Sequence, residues 1–85
     1  VLRMAPLAEA RAADIGDVPF RSRFSLDACH EDIEACFGAM RAAGVRPLAV
    51  GGDHSMSLPI LKALGRERPL GLVHVDAHCD TSGPY

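Results

Sequence analysis

The sequence predicts an α/β fold carrying part of a parallel sheet, on three observations. A long amphipathic stretch runs from Leu26 to Ala43. Two short, nearly continuous apolar runs, 47–50 and 70–75, bracket a second helical segment. Each apolar run gives way at once to a cluster of ligand-type polar residues.

The opening residues 1–23 show no sustained periodicity. A short helical turn is expected over Ala8 to Ala13, a brief strand over Ala12-Ala13-Asp14-Ile15, and a turn at Gly16-Asp17 and Pro19. From Ser25 the pattern sharpens. Ser25 has the chemistry of an N-cap, and Asp27, Glu31 and Asp32 fall early, where acidic groups suit the positive end of a helix dipole. Leu26, Cys29, Ile33, Cys36 or Phe37, and Met40 recur at three- and four-residue steps and draw one apolar stripe. Arg41 suits the last turn and Gly44 the stop. On that stripe the Cys and Met side chains read as packing.

Pro47-Leu48-Ala49-Val50 and Leu70-Gly71-Leu72-Val73-His74-Val75 are apolar without alternation, as strands covered on both faces are. Between them, Ser57 to Leu64 reads as a short helix, with Pro59 tolerated in its first turn and Gly65 ending it. Strand, helix and strand over this distance make a βαβ unit with a right-handed crossover.

Composition bounds the function. The 85 residues carry nine Lys+Arg against eleven Asp+Glu, a net charge of −2, with 48% hydrophobic and 24% charged residues. These are globular values, which exclude a disordered or collagen-like chain. The balanced charge points to neither a nucleic acid nor an anionic membrane as partner. No apolar run approaches the roughly 18 residues of a membrane span, and no signal peptide is visible. Cys29, Cys36 and Cys79 are odd in number and lack a CxxC spacing, so buried thiols in a reducing, cytoplasmic compartment are expected. The length is about half a typical domain. With Val1 first and Tyr85 directly after Gly-Pro, residues 1–85 read as the N-terminal portion of one larger domain.

The chemistry lies in the polar clusters. Gly51-Gly52-Asp53-His54-Ser55 follows the first run and Asp76-Ala77-His78-Cys79-Asp80-Thr81 the second. Ligands of open parallel sheets bind just outside the carboxyl ends of strands, so both clusters can face one crevice. In an extended chain residues two apart share a side, so Asp76, His78 and Asp80 are expected to converge while Ala77 and Cys79 face away. Two carboxylates so close would repel, and a divalent cation relieves that conflict. The glycine pair lets His54 aim across at them, with Asp53 either a ligand or a support for His54. Ser55 is expected to cap the next helix. His74 continues the alternation but lies inside the run, and reads as a packed core histidine; His30 reads as a solvated side chain near Glu34. A donor set rich in oxygen with a minority of imidazole leans toward Mn²⁺ over Zn²⁺.

At Gly51-Gly52-Asp53-His54-Ser55 and Asp76-Ala77-His78-Cys79-Asp80 the chain resembles the ureohydrolase (arginase/agmatinase) family, with the likeness reaching back to Ala13-Asp14-Ile15-Gly16-Asp17-Val18. The resemblance implies a three-layer α/β/α fold, a binuclear manganese centre, and hydrolysis of a guanidino group to urea and an amine. By the family pattern His54 and Asp80 bind one Mn²⁺, His78 binds the other, and Asp76 bridges both. Asp80-Thr81 is more similar to agmatinase-like members, which implies agmatine as substrate, giving putrescine and urea. The tail Ser82-Gly83-Pro84-Tyr85 resembles members acting on guanidino acids such as guanidinobutyrate, the alternative. The resemblance further implies a homo-oligomer, trimer or hexamer, for the whole protein. The family's later Asp-x-Asp segment, catalytic His region and substrate-binding Glu have no counterpart in these 85 residues. The polypeptide alone is therefore expected neither to hold two ions nor to turn over substrate, and no residue in it is assigned as the acid for the departing amine.

The reaction class suits the residues. A guanidinium carbon is a poor electrophile because its charge is spread over three nitrogens. A cation that lowers the pKa of water from about 15.7 toward about 7 supplies a nucleophile at neutral pH. Asp-x-His also opens metallophosphoesterase sites, but these need a Gly-Asn-His-Asp/Glu signature that the sequence lacks. A non-catalytic metal-binding module on the same scaffold is the remaining alternative.

Overall fold

The structure is a computed structural model that describes residues 9–81 and 83. Among the described residues two helices carry it: α1, Leu26–Ala42, and α2, Ser57–Leu64, the latter preceded by a single 3₁₀ turn, His54–Met56.

Helix α1 starts and stops where its residues dictate. The Ser25 hydroxyl, with an extended backbone at that residue, accepts from the Ala28 N–H at 3.2 Å. This satisfies one of the N–H groups that a helix start leaves without an internal partner. At the other end Gly44 adopts φ 72°, a conformation that costs a residue with a Cβ. There Gly44 N–H donates to the Arg41 carbonyl and Val45 N–H to the Met40 carbonyl, both at 3.0 Å. The paired bonds and the left-handed residue form a Schellman stop.

The apolar stripe packs in its middle. Ile33 and Phe37 of α1 meet Ala63 of α2 in the buried cluster, with Val18, Cys36, Met40, Met56 and Ile60 packed around it. Leu26, the first residue of the stripe, stays exposed, and the half-buried Cys29 donates its thiol to the Ser22 carbonyl at 3.1 Å. Pro59, third in α2, is fully buried, and lies in the first turn, where a proline is tolerated. Gly65 ends α2 by donating to the Leu61 carbonyl at 2.8 Å.

Arg21 ties the preceding segment to α1. Its N–H and Nε donate to the two oxygens of Asp32 at 2.9 and 2.6 Å, and its Nη2 donates to Glu31 at 2.7 Å. Earlier, Gly16 N–H donates to Asp14 Oδ1 at 2.8 Å, while the turn expected at Gly16-Asp17 and Pro19 is not assigned there. The strand expected over 12–15 does not form, and the helical turn expected over 8–13 begins outside the described residues and is seen only around residue 9.

The strands expected later in the chain do not form either. Among the described residues there is no strand: 47–50 and 70–75 stay irregular and do not pair, so neither the βαβ unit nor the three-layer arrangement forms within them. The reason is physical. A parallel strand draws its stability from hydrogen bonds to neighbouring strands and from layers covering both faces. Here Leu48, Val50, Val73 and Val75 are 91%, 89%, 90% and 95% exposed, so nothing covers them. Two short strands alone do not form a stable sheet in water.

Candidate metal centre

The first loop aims His54. Gly51 and Gly52 lie at φ 146° and 21°, values that favour glycine, and they turn the chain into the 3₁₀ turn that begins with His54. Asp53 caps that turn: its Oδ1 accepts from Ser55 N–H at 2.8 Å. Asp53 is thereby a cap, and not a hydrogen-bond support of the His54 ring. Ser55 does not cap α2, whose first turn has no side-chain cap. Its hydroxyl instead shares a 3.0 Å hydrogen bond with His30 Nε2 across from α1. The expectation of a merely solvated His30 is corrected accordingly.

The second loop bends where an extended run was expected. Asp76 Oδ1 accepts from His78 N–H at 2.8 Å, and Asp80 sits at φ 52°. This turn, more than a two-residue alternation, brings Asp76 and Asp80 together. It also leaves His78 to one side of them.

His54 Nδ1 lies 3.0 Å from Asp80 Oδ2 and 3.6 Å from Asp76 Oδ2. His74 Nε2 lies 3.3 Å from the same Asp76 oxygen and 3.7 Å from the same Asp80 oxygen. One donor atom from each of these four residues falls within 4.8 Å of every other. His78 stands to one side, its side chain 84% exposed and its Nδ1 3.5 Å from Asp76 Oδ1. The two oxygens of Asp76 thus face different imidazoles. His74, expected as a core histidine, is an exposed residue whose side chain, 32% exposed, stands among the carboxylates. Its sequence signal was the His-x-Asp spacing to Asp76, masked by the apolar residues on either side. Cys79 is exposed and outside the four-residue group, so among the thiols only Cys29 and Cys36 approach the expected burial.

Hydrogen bonding sets the local charge. The His78 N–H, aided by the His74 ring, holds the Asp76 carboxyl below the usual carboxylate range. The Ser55 hydroxyl and N–H do the same for Asp53. Asp76 Oδ2 and Asp80 Oδ2 face the same pair of imidazoles. Adjacent donors on an octahedral ion bound at about 2.1 Å lie about 3.0 Å apart. The spacings of 3.0 and 3.6 Å from His54 Nδ1 to Asp80 Oδ2 and Asp76 Oδ2 match that demand with a slight expansion. By geometry and by donor type, the residues fit a divalent cation.

The arginase family profile matches residues 1–85, the full length of the chain. The chain belongs to the arginase family. Over 85 residues it is 51% identical to a guanidinopropionase of Pseudomonas aeruginosa, covering all of this chain and 26% of that protein. It is 44% identical over 79 residues to a mitochondrial agmatinase of Gallus gallus, covering 92% of this chain and 23% of that one. A guanidinobutyrase of Pseudomonas aeruginosa is 42% identical over 79 residues, covering 92% of this chain and 24% of the relative. The chain thus spans about a quarter of the length of the curated relatives it matches. No solved structure matches it. Membership in this arginase family carries an α/β fold, of which the described residues form two helices and the loops between them. Among the described residues no helix is long and apolar enough to cross a membrane.

Proposed function

We propose that the protein carrying this chain hydrolyses a guanidino group to urea and an amine at a binuclear manganese centre, half of which these residues supply. One observation carries the reading. In a chain of the arginase family, the loop at His54 and the loop at Asp76 and Asp80 bring one imidazole nitrogen and two carboxylate oxygens to the spacing that one shared dication requires.

His54 and Asp80, with Asp76 Oδ2, would hold one ion. Asp76 Oδ1 and His78, on the other side of the same carboxylate, would hold the second. When bound, the pair supplies a water nucleophile at neutral pH and charge to stabilise the tetrahedral carbon. The chain's own residues prepare for this. The His78 N–H keeps Asp76 ionised, so the carboxylate can serve both sides, and the Asp53 cap fixes the turn that presents His54. His74 lies close enough to Asp76 Oδ2 to orient that oxygen by a hydrogen bond.

The 51% match over the whole chain to a guanidinopropionase favours a short guanidino acid over agmatine, which the motif resemblance puts first. The deciding experiment is urea release by the whole Mn²⁺-loaded protein from guanidinopropionate, guanidinobutyrate and agmatine, side by side. Release from one of these, abolished by Asp76→Ala, is the expected result. No urea from any of them would leave the non-catalytic metal-binding module as the better account.

A further inference from the structure

We infer that His30 of α1 is a positioning residue for the metal-binding turn, fixing through Ser55 the segment that presents His54. The inference rests on the metal-centre reading of His54 and concerns how that ligand is held.

The loop 51–53 has little of its own to hold it. It is exposed, and its two glycines sit at positive φ, so the backbone that aims His54 is intrinsically permissive. Two side-chain contacts restrain the turn. Inside it, Asp53 Oδ1 accepts from Ser55 N–H. From outside, His30 Nε2 shares its 3.0 Å hydrogen bond with the Ser55 hydroxyl, between residues 25 apart in sequence. Ser55 adjoins His54 in the same turn, with Cα atoms about 3.8 Å apart, so a displacement of one carries the other.

His30 stands on the firmest element present. Helix α1 is closed by the Ser25 cap and the Gly44 stop, buried through Ile33 and Phe37, and gripped by Arg21 through Asp32 and Glu31. A half-buried imidazole on such a helix transmits that rigidity to a loop that lacks it. Asp27, Glu31, Glu34 and Lys62 line the same cleft beside His30 and carry both signs of charge. The contact that matters is therefore the hydrogen bond, with no charge on His30 required. Partners that orient a metal ligand are worth about 10- to 100-fold in metal affinity.

The test uses the whole protein, comparing wild type with His30→Ala, His30→Gln and Ser55→Ala. Glutamine keeps a polar atom at a reach close to that of imidazole Nε2. Mn²⁺ affinity is read from the free-ion electron paramagnetic resonance signal, and amide hydrogen exchange is followed over residues 53–56 without metal. The expected result is a Kd raised about tenfold in His30→Ala and Ser55→Ala, largely restored in His30→Gln, with faster exchange in the two alanine variants only. A Kd within about twofold of wild type in His30→Ala, or a glutamine variant no better than alanine, would overturn the inference. Should wild type bind no Mn²⁺, the metal reading fails by itself. The exchange data then decide on His30, unchanged protection in His30→Ala refuting its positioning role.

Discussion

Phe37→Ala tests the packing that holds the site's scaffold. Phe37 is 5% exposed and sits in the seam between α1 and α2 with Ile33 and Ala63. Burying a phenylalanine takes about 200 Å² from water, worth about 5 kcal/mol at 25 cal/mol per Å² as an upper bound. Alanine retains part of that area. The neighbours Cys36, Met40, Met56 and Ile60 are only partly buried and can relax into the space. The loss should therefore fall at the low end for such truncations, about 3 kcal/mol. Urea denaturation of the whole protein, with amide exchange to localise the change, measures it. Because Met56 closes the turn that His54 opens, exchange should quicken over 53–56 as well as along α1. Leu26→Ala, on the same stripe but exposed, should cost less than about 0.5 kcal/mol. A loss below about 1 kcal/mol for Phe37→Ala, or an equal loss for Leu26→Ala, would refute the assigned seam.

Other expectations follow from single contacts. The Arg21 N–H and guanidinium hold Asp32 below the usual carboxylate range, so the clasp contributes stability above that range and loses it as pH falls. The stability gap between wild type and Asp32→Asn should thus shrink from about pH 7 to about pH 3, and a constant gap would reject the clasp. Gly44→Ala places a Cβ at φ 72° and should cost about 1 kcal/mol of stability in the same urea assay, an unchanged midpoint speaking against the Schellman stop. Asp76→Asn replaces one of the two carboxylate oxygens with an NH2 group and leaves a single neutral carbonyl oxygen, which cannot serve both sides, so elemental analysis should find bound Mn²⁺ reduced from two ions per chain to one. Retention of both would contradict a bridging role.

Helices were legible because their signals are local. Ser25, the three- and four-residue spacing of Ile33, Phe37 and Met40, and Gly44 delimit α1 to within a residue, and Pro59 with Gly65 does the same for α2. Strands were not, since the stability of Leu48-Ala49-Val50 or Leu72-Val73 as strands depends on partners distant in sequence. In the site, Gly51-Gly52 and the acidic residues Asp76 and Asp80 announced where the candidate donor groups gather. Which imidazoles gather with them depended on one turn: the His78 N–H folding back on Asp76 moves the His78 ring aside and leaves His74 beside Asp80. The His30–Ser55 contact had no sequence signal, because it joins two elements whose packing is tertiary.

The central claim is that side chains from two loops create a cation site. Its most direct measurement is the Mn²⁺ content, by elemental analysis, of the whole protein after loading and exhaustive dialysis, compared with the combined His54→Ala, Asp76→Ala, Asp80→Ala variant. Two retained ions per wild-type chain and none in the variant are expected. A wild-type protein that emerges free of metal, or a variant that retains as much as wild type, would contradict it.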